Sequence, residues 1–300
     1  MKTAITNEGM RKAMKRRFPL FVLPVLTCFV ISFVIPFVMG IYLSFYNFNI
    51  PRDAQWAGLH NYIATFFDIS FWSALGNTVG FTVVSVIAIN IPAFFLAYVL
   101  TGKFRGAGLF RSVFFMPDLI GGVVLGYIWN MIFDGILESF GTYLTASGVF
   151  GFIGLVILVA WQQIGYMMMI YIAGFQSMPQ DMLEAADIDG TTGSQKMFSI
   201  IIPNMMSSLF ICVFLTITNS FKMFDQNLAL TGGAPIITLG SGAQVKTTEL
   251  LALNIYSTYN INRNWHGTAQ AKAVIFFILV AVLAVIRFVI VKRSKGGDEQ

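Results

Sequence analysis

Charge is scarce in this 300-residue chain: charged residues make up 11% of it, against 56% hydrophobic. A soluble domain carries about 25% charged residues, so an ordinary soluble core is excluded, and the mean hydropathy of +0.73 points the same way. Cysteine is nearly missing. The two present, Cys28 and Cys212, both fall inside apolar runs and are not placed as a structural disulfide. The two histidines, His60 and His266, are far apart in sequence and form no metal-ligand spacing. No stretch alternates apolar and polar residues as a transmembrane β-strand does. No segment fits G-x-x-x-x-G-K followed by Ser or Thr, so any ATP chemistry belongs to another chain. A clustered nucleophile, base and metal set is also missing, which leaves no case for a membrane enzyme.

What is there is apolar length. A helix needs roughly 20 apolar residues to cross a bilayer, and six stretches qualify: about 18–45, 75–101, 109–133, 151–175, 200–224 and 268–291. The first follows Arg11, Lys12, Lys15, Arg16 and Arg17. It is too long for the apolar region of a signal peptide and lacks a small-residue cleavage site, so it reads as a retained span. Prolines 19, 24, 36, 92 and 203 lie in or at the ends of spans, where membrane helices tolerate them. The expectation is an all-α membrane protein with six transmembrane helices. It divides into a basic segment at 1–17, a membrane domain at 18–291 and a tail at 292–300.

Lys and Arg set the orientation. The N-terminal segment (with Lys2), the turn with Lys103, Arg105 and Arg111, the loop with Lys196, and the tail with Lys292, Arg293 and Lys295 hold thirteen. The alternate loops hold three: Arg52, Lys246 and Arg263. The excess puts both termini and the loop at 177–203 in the cytoplasm. The net charge of +5 is spent on these blocks beside spans rather than on a nucleic-acid surface. The outer loop at 46–73 is aromatic, with Trp56, Tyr62, Phe66, Phe67, Phe71 and Trp72, and reads as an interfacial anchor. The outer loop at 225–266 opens with the turn signal Thr231-Gly232-Gly233-Ala234-Pro235 and has apolar residues at 250–256 for a short helix.

The cytoplasmic loop is the most informative segment. Ser177-Met178-Pro179-Gln180 reads as a capping box opening a helix, with Asp181 and Glu184 early in it, where the helix dipole favours acids. Gly190 ends that helix. Thr192 with Gln195 repeats the cap pattern and starts a second helix running through Phe198 and Ile200–Ile202 towards Pro203. Ala185 and Ala186 keep one face small. Four acids, Asp181, Glu184, Asp187 and Asp189, stand against Lys196, an acidic peg suited to a basic cleft. The bland alternative is a connecting loop packed on its own bundle.

Polar groups inside spans are functional suspects, though many only join helices. Gln163, Tyr166, Asn219 and Ser220 together supply amides, hydroxyls and an aromatic face, the groups that line a path for a polar solute. Interhelical bonding is the other reading of Gln163, Tyr166 and Asn219, and the favoured one for Asn90 and Thr218. Lys222 and Asp225 are three apart and can pair on one helix face.

The run Glu184-Ala185-Ala186-x-x-Asp189-Gly190, with Phe198, Ile201 and Pro203, resembles the EAA motif of permease subunits of bacterial binding-protein-dependent ABC importers. Phe71-Trp72-Ser73-Ala74-Leu75-Gly76-Asn77-Thr78, Phe104-Arg105-Gly106, Arg111, Phe115-Met116-Pro117, Phe221-Lys222-Met223-Phe224-Asp225 and Thr231–Pro235 are similar to the sugar-transporting group related to maltose and glycerol-phosphate permeases. The likeness runs from about 18 to 291. Thr191, Ile202 and Ala234 depart mildly from the usual residues. The resemblance implies a type I ABC importer permease fold in a bacterial inner (cytoplasmic) membrane. It implies carbohydrate import, with oligosaccharide as the expected cargo, and a translocation path shared with a second permease. Two ATP-binding subunits would carry the ATP and Mg, with no cofactor on this chain, and an extracellular sugar-binding protein would deliver the cargo. Glu184, Ala185, Ala186, Asp189 and Gly190 become the coupling residues, and the sugar contacts fall on spans flanking that loop. An ion-coupled secondary carrier is the alternative, because six spans with buried polar groups also describe half of a carrier.

Overall fold

A computed structural model describes residues 18, 22–102, 105–261 and 265–296. The basic segment at 1–17, Lys103, Phe104, Arg263 and residues 297–300 of the tail lie outside the described residues. Helix α1 (Val22–Leu43) contains a π-helical stretch at Val30–Val34. Strands β1 (Tyr46–Asn47) and β2 (Gln55–Trp56) pair antiparallel, with Tyr46 opposite Trp56, and α2 (His60–Phe67) follows. Next come α3 (Ile69–Thr101), α4 (Ala107–Phe115), a 3-10 turn at Met116–Leu119, α5 (Gly122–Glu138) and α6 (Gly148–Gln176). Then α7 (Gln180–Ile188), α8 (Gly193–Asn204), α9 (Met206–Phe221) and α10 (Asp225–Leu230). A second antiparallel ribbon, β3 (Ile236–Thr238) with β4 (Gln244–Lys246), precedes α11 (Leu251–Ile261) and α12 (His266–Gly296). The chain is mostly helical. The two ribbons sit in the loops at 46–73 and 225–266, where sequence reading expected aromatic anchoring and a turn.

Among the described residues, four helices are long and apolar enough to cross a bilayer unaided: α1, α3, α6 and residues His266–Val289 of α12. The straight spans expected at 109–133 and 200–224 are broken. Residues Ala107–Leu119 and Gly122–Glu138 meet at 99°, and Gly193–Asn204 and Met206–Phe221 at 71°. Counting each bent pair as one span brings the total to six. The first break follows from Pro117, which has no N–H to continue a helix, and from Ile120 in an extended conformation before the N-cap Gly121. The second falls at Met205, whose φ of −94° and ψ of 4° leave the helical region two residues after Pro203. Pro92, by contrast, stays inside the unbroken α3.

The described residues form two compact units. The first runs to Thr65 and resumes at Thr258–Val274. Asn61 is its hub: its Nδ2 donates to Ser44 O (2.9 Å) and Tyr46 O (3.0 Å), and its Oδ1 accepts from Thr268 Oγ1 (3.2 Å). Lys272, buried in this unit, donates to Thr258 Oγ1 at 2.7 Å.

The second unit holds 66–257 and the chain from Ile275 onward. Helices α3 and α6 make its most extensive contact, around Phe81, Ile89, Phe94, Leu158, Met168 and Tyr171. Small residues let backbones approach closely in such bundles. A Cβ added at Gly165 of α6 would collide with the backbone carbonyl of Phe114. Polar bonds cross the same core. Tyr171 Oη donates to Asn90 Oδ1 (2.8 Å), Asn90 Nδ2 donates to Thr216 Oγ1 (3.0 Å), and Thr216 Oγ1 donates to Cys212 O (2.9 Å). Asn90 thus ties α3 to α6 and α9, the interhelical role favoured from sequence. Thr218 Oγ1 donates to Phe214 O within its own helix, the hydroxyl's one bond among the described residues.

The turn from β4 into α11 is held by a buried carboxylate. Glu249 accepts from Ser257 Oγ (2.6 Å), Asn254 Nδ2 (2.9 Å) and Lys246 Nζ (3.2 Å). Glu249→Leu strands these donors. Removing one partner of a buried ion pair costs about 3–5 kcal/mol, and the low end applies because the Lys246 side chain is a quarter exposed. Thermal unfolding of the purified protein in detergent should show a lower midpoint for Glu249→Leu and a smaller fall for Glu249→Gln.

Candidate functional site

Helices α7 and α8 form a hairpin between α6 and α9. Its opening differs from expectation. Ser177 closes α6, its Oγ donating to Gly174 O at 2.7 Å, and Pro179 is the N-cap of α7 with no side-chain bond, so the first expected capping box does not form. The turn is as expected. Gly190 has φ of +70°, a left-handed conformation that glycine adopts without a Cβ penalty. Thr191 N donates to Ala186 O and Gly190 N to Asp187 O, the paired bonds of a Schellman motif. Thr191, a departure from the usual alanine, adds a hydroxyl bond to Ala186 O at 2.8 Å. The second capping box forms: Gln195 N donates to Thr192 Oγ1, and Thr192 N to Gln195 Oε1. Helix α8 then widens into a π-helical stretch at Lys196–Ile201.

The exposed face of this hairpin is not purely acidic. Asp187 pairs with Lys196 at 2.8 Å, which offsets part of the acidic charge of this face. Asp181, Glu184 and Asp189 remain exposed. Ala185 is exposed but Ala186 is buried, so the two alanines do not share one open face: Ala186 lets α7 sit closely on its own chain. Two apolar residues point outward instead, Ile188 at 86% and Phe198 at 70% exposure. Sequence reading singled out Phe198 and passed over Ile188, although an isoleucine among Asp187, Asp189 and Gly190 is itself an oddity.

A cavity of about 290 Å³ lies where α9 gives way to α10 against α6, lined by Gln163, Asn219, Lys222, Met223, Phe224, Asp225 and Gln226. It brings together two of the four expected path residues. Gln163 is buried, and among the described residues its Oε1 has no hydrogen-bond partner, an unusual cost for an amide out of water. Tyr166 packs against the core and Ser220 is buried; neither lines the cavity. Lys222 and Asp225 do not pair, because α9 ends at Phe221 and Asp225 starts α10. Both are exposed on the cavity wall. Beside it Gln226 Nε2 donates to Gln162 Oε1 (2.8 Å) and Gln162 Nε2 to Ile120 O (3.2 Å), linking α10 and α6 to the break before α5.

Residues 80–296 match the family of binding-protein-dependent transport system inner membrane components. The chain belongs to that family. It is therefore a multi-pass inner-membrane permease subunit rather than an enzyme, and the ion-coupled carrier reading is left without support. The chain is 37% identical over 285 residues to the probable starch degradation products transport system permease protein AmyD of Thermoanaerobacterium thermosulfurigenes, covering 92% of this chain and 94% of that one. It is 27% identical to the multiple sugar-binding transport system permease protein MsmF of Streptococcus mutans, over 88% and 91% of the two chains. Its fold matches a chain in the crystal structure of a bacterial ABC transporter involved in import of the acidic polysaccharide alginate, with a TM-score of 0.77 at 16% identity, covering 95% and 98%. In this permease the hairpin occupies the segment in which the EAA motif falls.

Gly190→Val forces a β-branched residue into the left-handed region, at about 1–2 kcal/mol or more. Thr192→Ala removes a cap at about 1 kcal/mol. Amide hydrogen exchange should show faster exchange across 185–200 in both variants, more so for Gly190→Val, with α3 and α6 unchanged.

Proposed function

We propose that this chain is a transmembrane permease of an ATP-driven importer of neutral oligosaccharides. It works with a second, similar permease, two ATP-binding subunits and an extracellular sugar-binding protein. Six spans, two of them bent, run with both termini in the cytoplasm, an orientation supported by thirteen Lys and Arg on one set of loops against three on the other. Sugar as cargo is supported by the names of the relatives, which concern starch degradation products and multiple sugars.

The α7–α8 hairpin is the joint to the ATPase. The observation that carries this reading is its open face: Glu184, Ala185 and Asp189 beside Ile188 and Phe198, both large and apolar and both left exposed. A partner surface that covered these two side chains would remove their apolar area from water, which favours docking. Ile188 and Phe198 supply apolar contact, Glu184 and Asp189 supply charge for a basic partner, and Gly190 and Ala186 set the shape. Closure of the ATPase pair would push on this hairpin, and the 71° joint at Met205 passes the motion to α9. That helix carries Asn219 to the cavity wall, where Gln163, Asn219 and the unspent Gln163 Oε1 make the best-supported part of the substrate path. ATP and Mg act on the partner subunits.

Glu184→Lys should abolish ATP-dependent sugar uptake in proteoliposomes of the full complex and reduce copurification of the ATPase. Unchanged uptake and assembly would sink the coupling role. Gln163→Leu and Asn219→Leu should lower uptake at least tenfold while binding-protein-stimulated ATP hydrolysis persists; loss of both activities together would point to a structural role instead.

A further inference from the structure

In the first unit, the turn after β1 and the end of α11 enclose an open pocket of about 500 Å³. It is lined by Asn49, Ile50, Asp53, Tyr259, Asn260 and His266, none of which belongs to the cavity beside Gln163. We infer that this pocket is a second ligand site, binding an uncharged carbohydrate ring.

The donors and acceptors decide the ligand class. His266 Nδ1 lies 2.9 Å from Asn49 O. A carbonyl only accepts, so Nδ1 carries the hydrogen, and in the neutral ring Nε2 is left as an acceptor. The imidazole is held in place by stacking on Tyr259 (centroids 4.1 Å apart, planes 12°) and by the edge-to-face ring of Phe48 at 5.7 Å. Tyr259 stays 43% exposed, so ring area remains for a ligand. Asp53 is exposed, and its carboxylate has no ion pair among the described residues. Asn49 and Asn260 bring side-chain amides, which both donate and accept.

Other ligand classes fit this lining less well. An anion would be repelled by Asp53. A calcium-like cation takes six to eight oxygens, commonly with several carboxylates, and here there is one. A purely apolar ligand would strip water from the amides and carboxylate without replacing it. A sugar ring offers hydroxyl hydrogens to Asp53 and His266, hydroxyl oxygens to the amides, and a carbon face to Tyr259 and Ile50. The volume falls inside the range of about 300–1,000 Å³ for small-molecule sites, enough for one ring with part of a second. The two loops that build the pocket both lie outside in the proposed orientation, on the side from which the cargo arrives.

The test uses the whole chain carrying Gln163→Leu and Asn219→Leu, which remove the amides of the other cavity, in lipid nanodiscs free of sugar-headed detergent, with maltotriose as the probe and saturation-transfer NMR as the readout. The expected result is transfer to ring protons of the trisaccharide that disappears in Tyr259→Ala and weakens about tenfold in Asp53→Asn, as fits the loss of a charge-assisted hydrogen bond. Glucuronate and calcium should not displace maltotriose. A starting chain with no signal, or a signal that survives both Tyr259→Ala and Asp53→Asn, would overturn the site. Asp53 lies on an exposed turn, so Asp53→Asn, with an unchanged melting curve, keeps the result readable if Tyr259→Ala loosens the fold. Failure of the ATPase-coupling reading would appear in ATP-dependent uptake and would leave this binding result as it stands.

Discussion

Helices in a bilayer gain little by hiding apolar surface from lipid, because lipid tails are as apolar as leucine. What holds this bundle together is therefore close approach and polar bonding. Gly165 lets α6 lie directly against the carbonyl of Phe114, a contact that even one methyl group would block. Asn90 joins Tyr171 of α6 to Thr216 of α9 through two bonds inside the core. Each such bond is worth only about 0.6 kcal/mol on average, yet an unmade one would leave a polar atom in hydrocarbon. The cooperating set fixes how α3, α6 and α9 face one another.

That frame gives the two breaks their meaning. The 99° turn after Leu119 and the 71° turn at Met205 interrupt apolar stretches that could have run straight. Irregular backbone at such depth is tolerated only where protein or a water-lined cavity covers its polar groups. Here Gln162 accepts from Gln226 and donates to Ile120 O, so the first break is satisfied by side-chain amides beside the cavity that Gln163 and Asn219 line. The hairpin that would receive force from outside the bilayer and the cavity wall that would respond to it stand at opposite ends of α8–α9.

Much of the hairpin was legible because its signals are local. Thr192 with Gln195 caps one helix and Gly190 ends the other through bonds spanning a few residues. The same local logic misled at Ser177. Its hydroxyl can serve the end of α6 as well as the start of α7, and only the three-dimensional path of the chain chooses between them. Ala186 was read as open surface and is buried, and Asp187 was read as part of an acidic face and is neutralised by Lys196 nine residues on. Lys222 and Asp225 have the spacing of an ion pair on a helix, but the helix ends between them.

The sequence by itself determined the membrane class, the number of apolar stretches, the polar hairpin and the family, because these depend on composition, on charge placement and on short-range caps. Only the tertiary structure decided which stretches bend, which polar residues join helices, and which meet in a cavity. Those outcomes depend on contacts between residues far apart in the chain. Gln163 and Asn219 line one cavity, and Asn49 O meets His266 Nδ1 at another pocket, because packing brings them together and no local pattern records it.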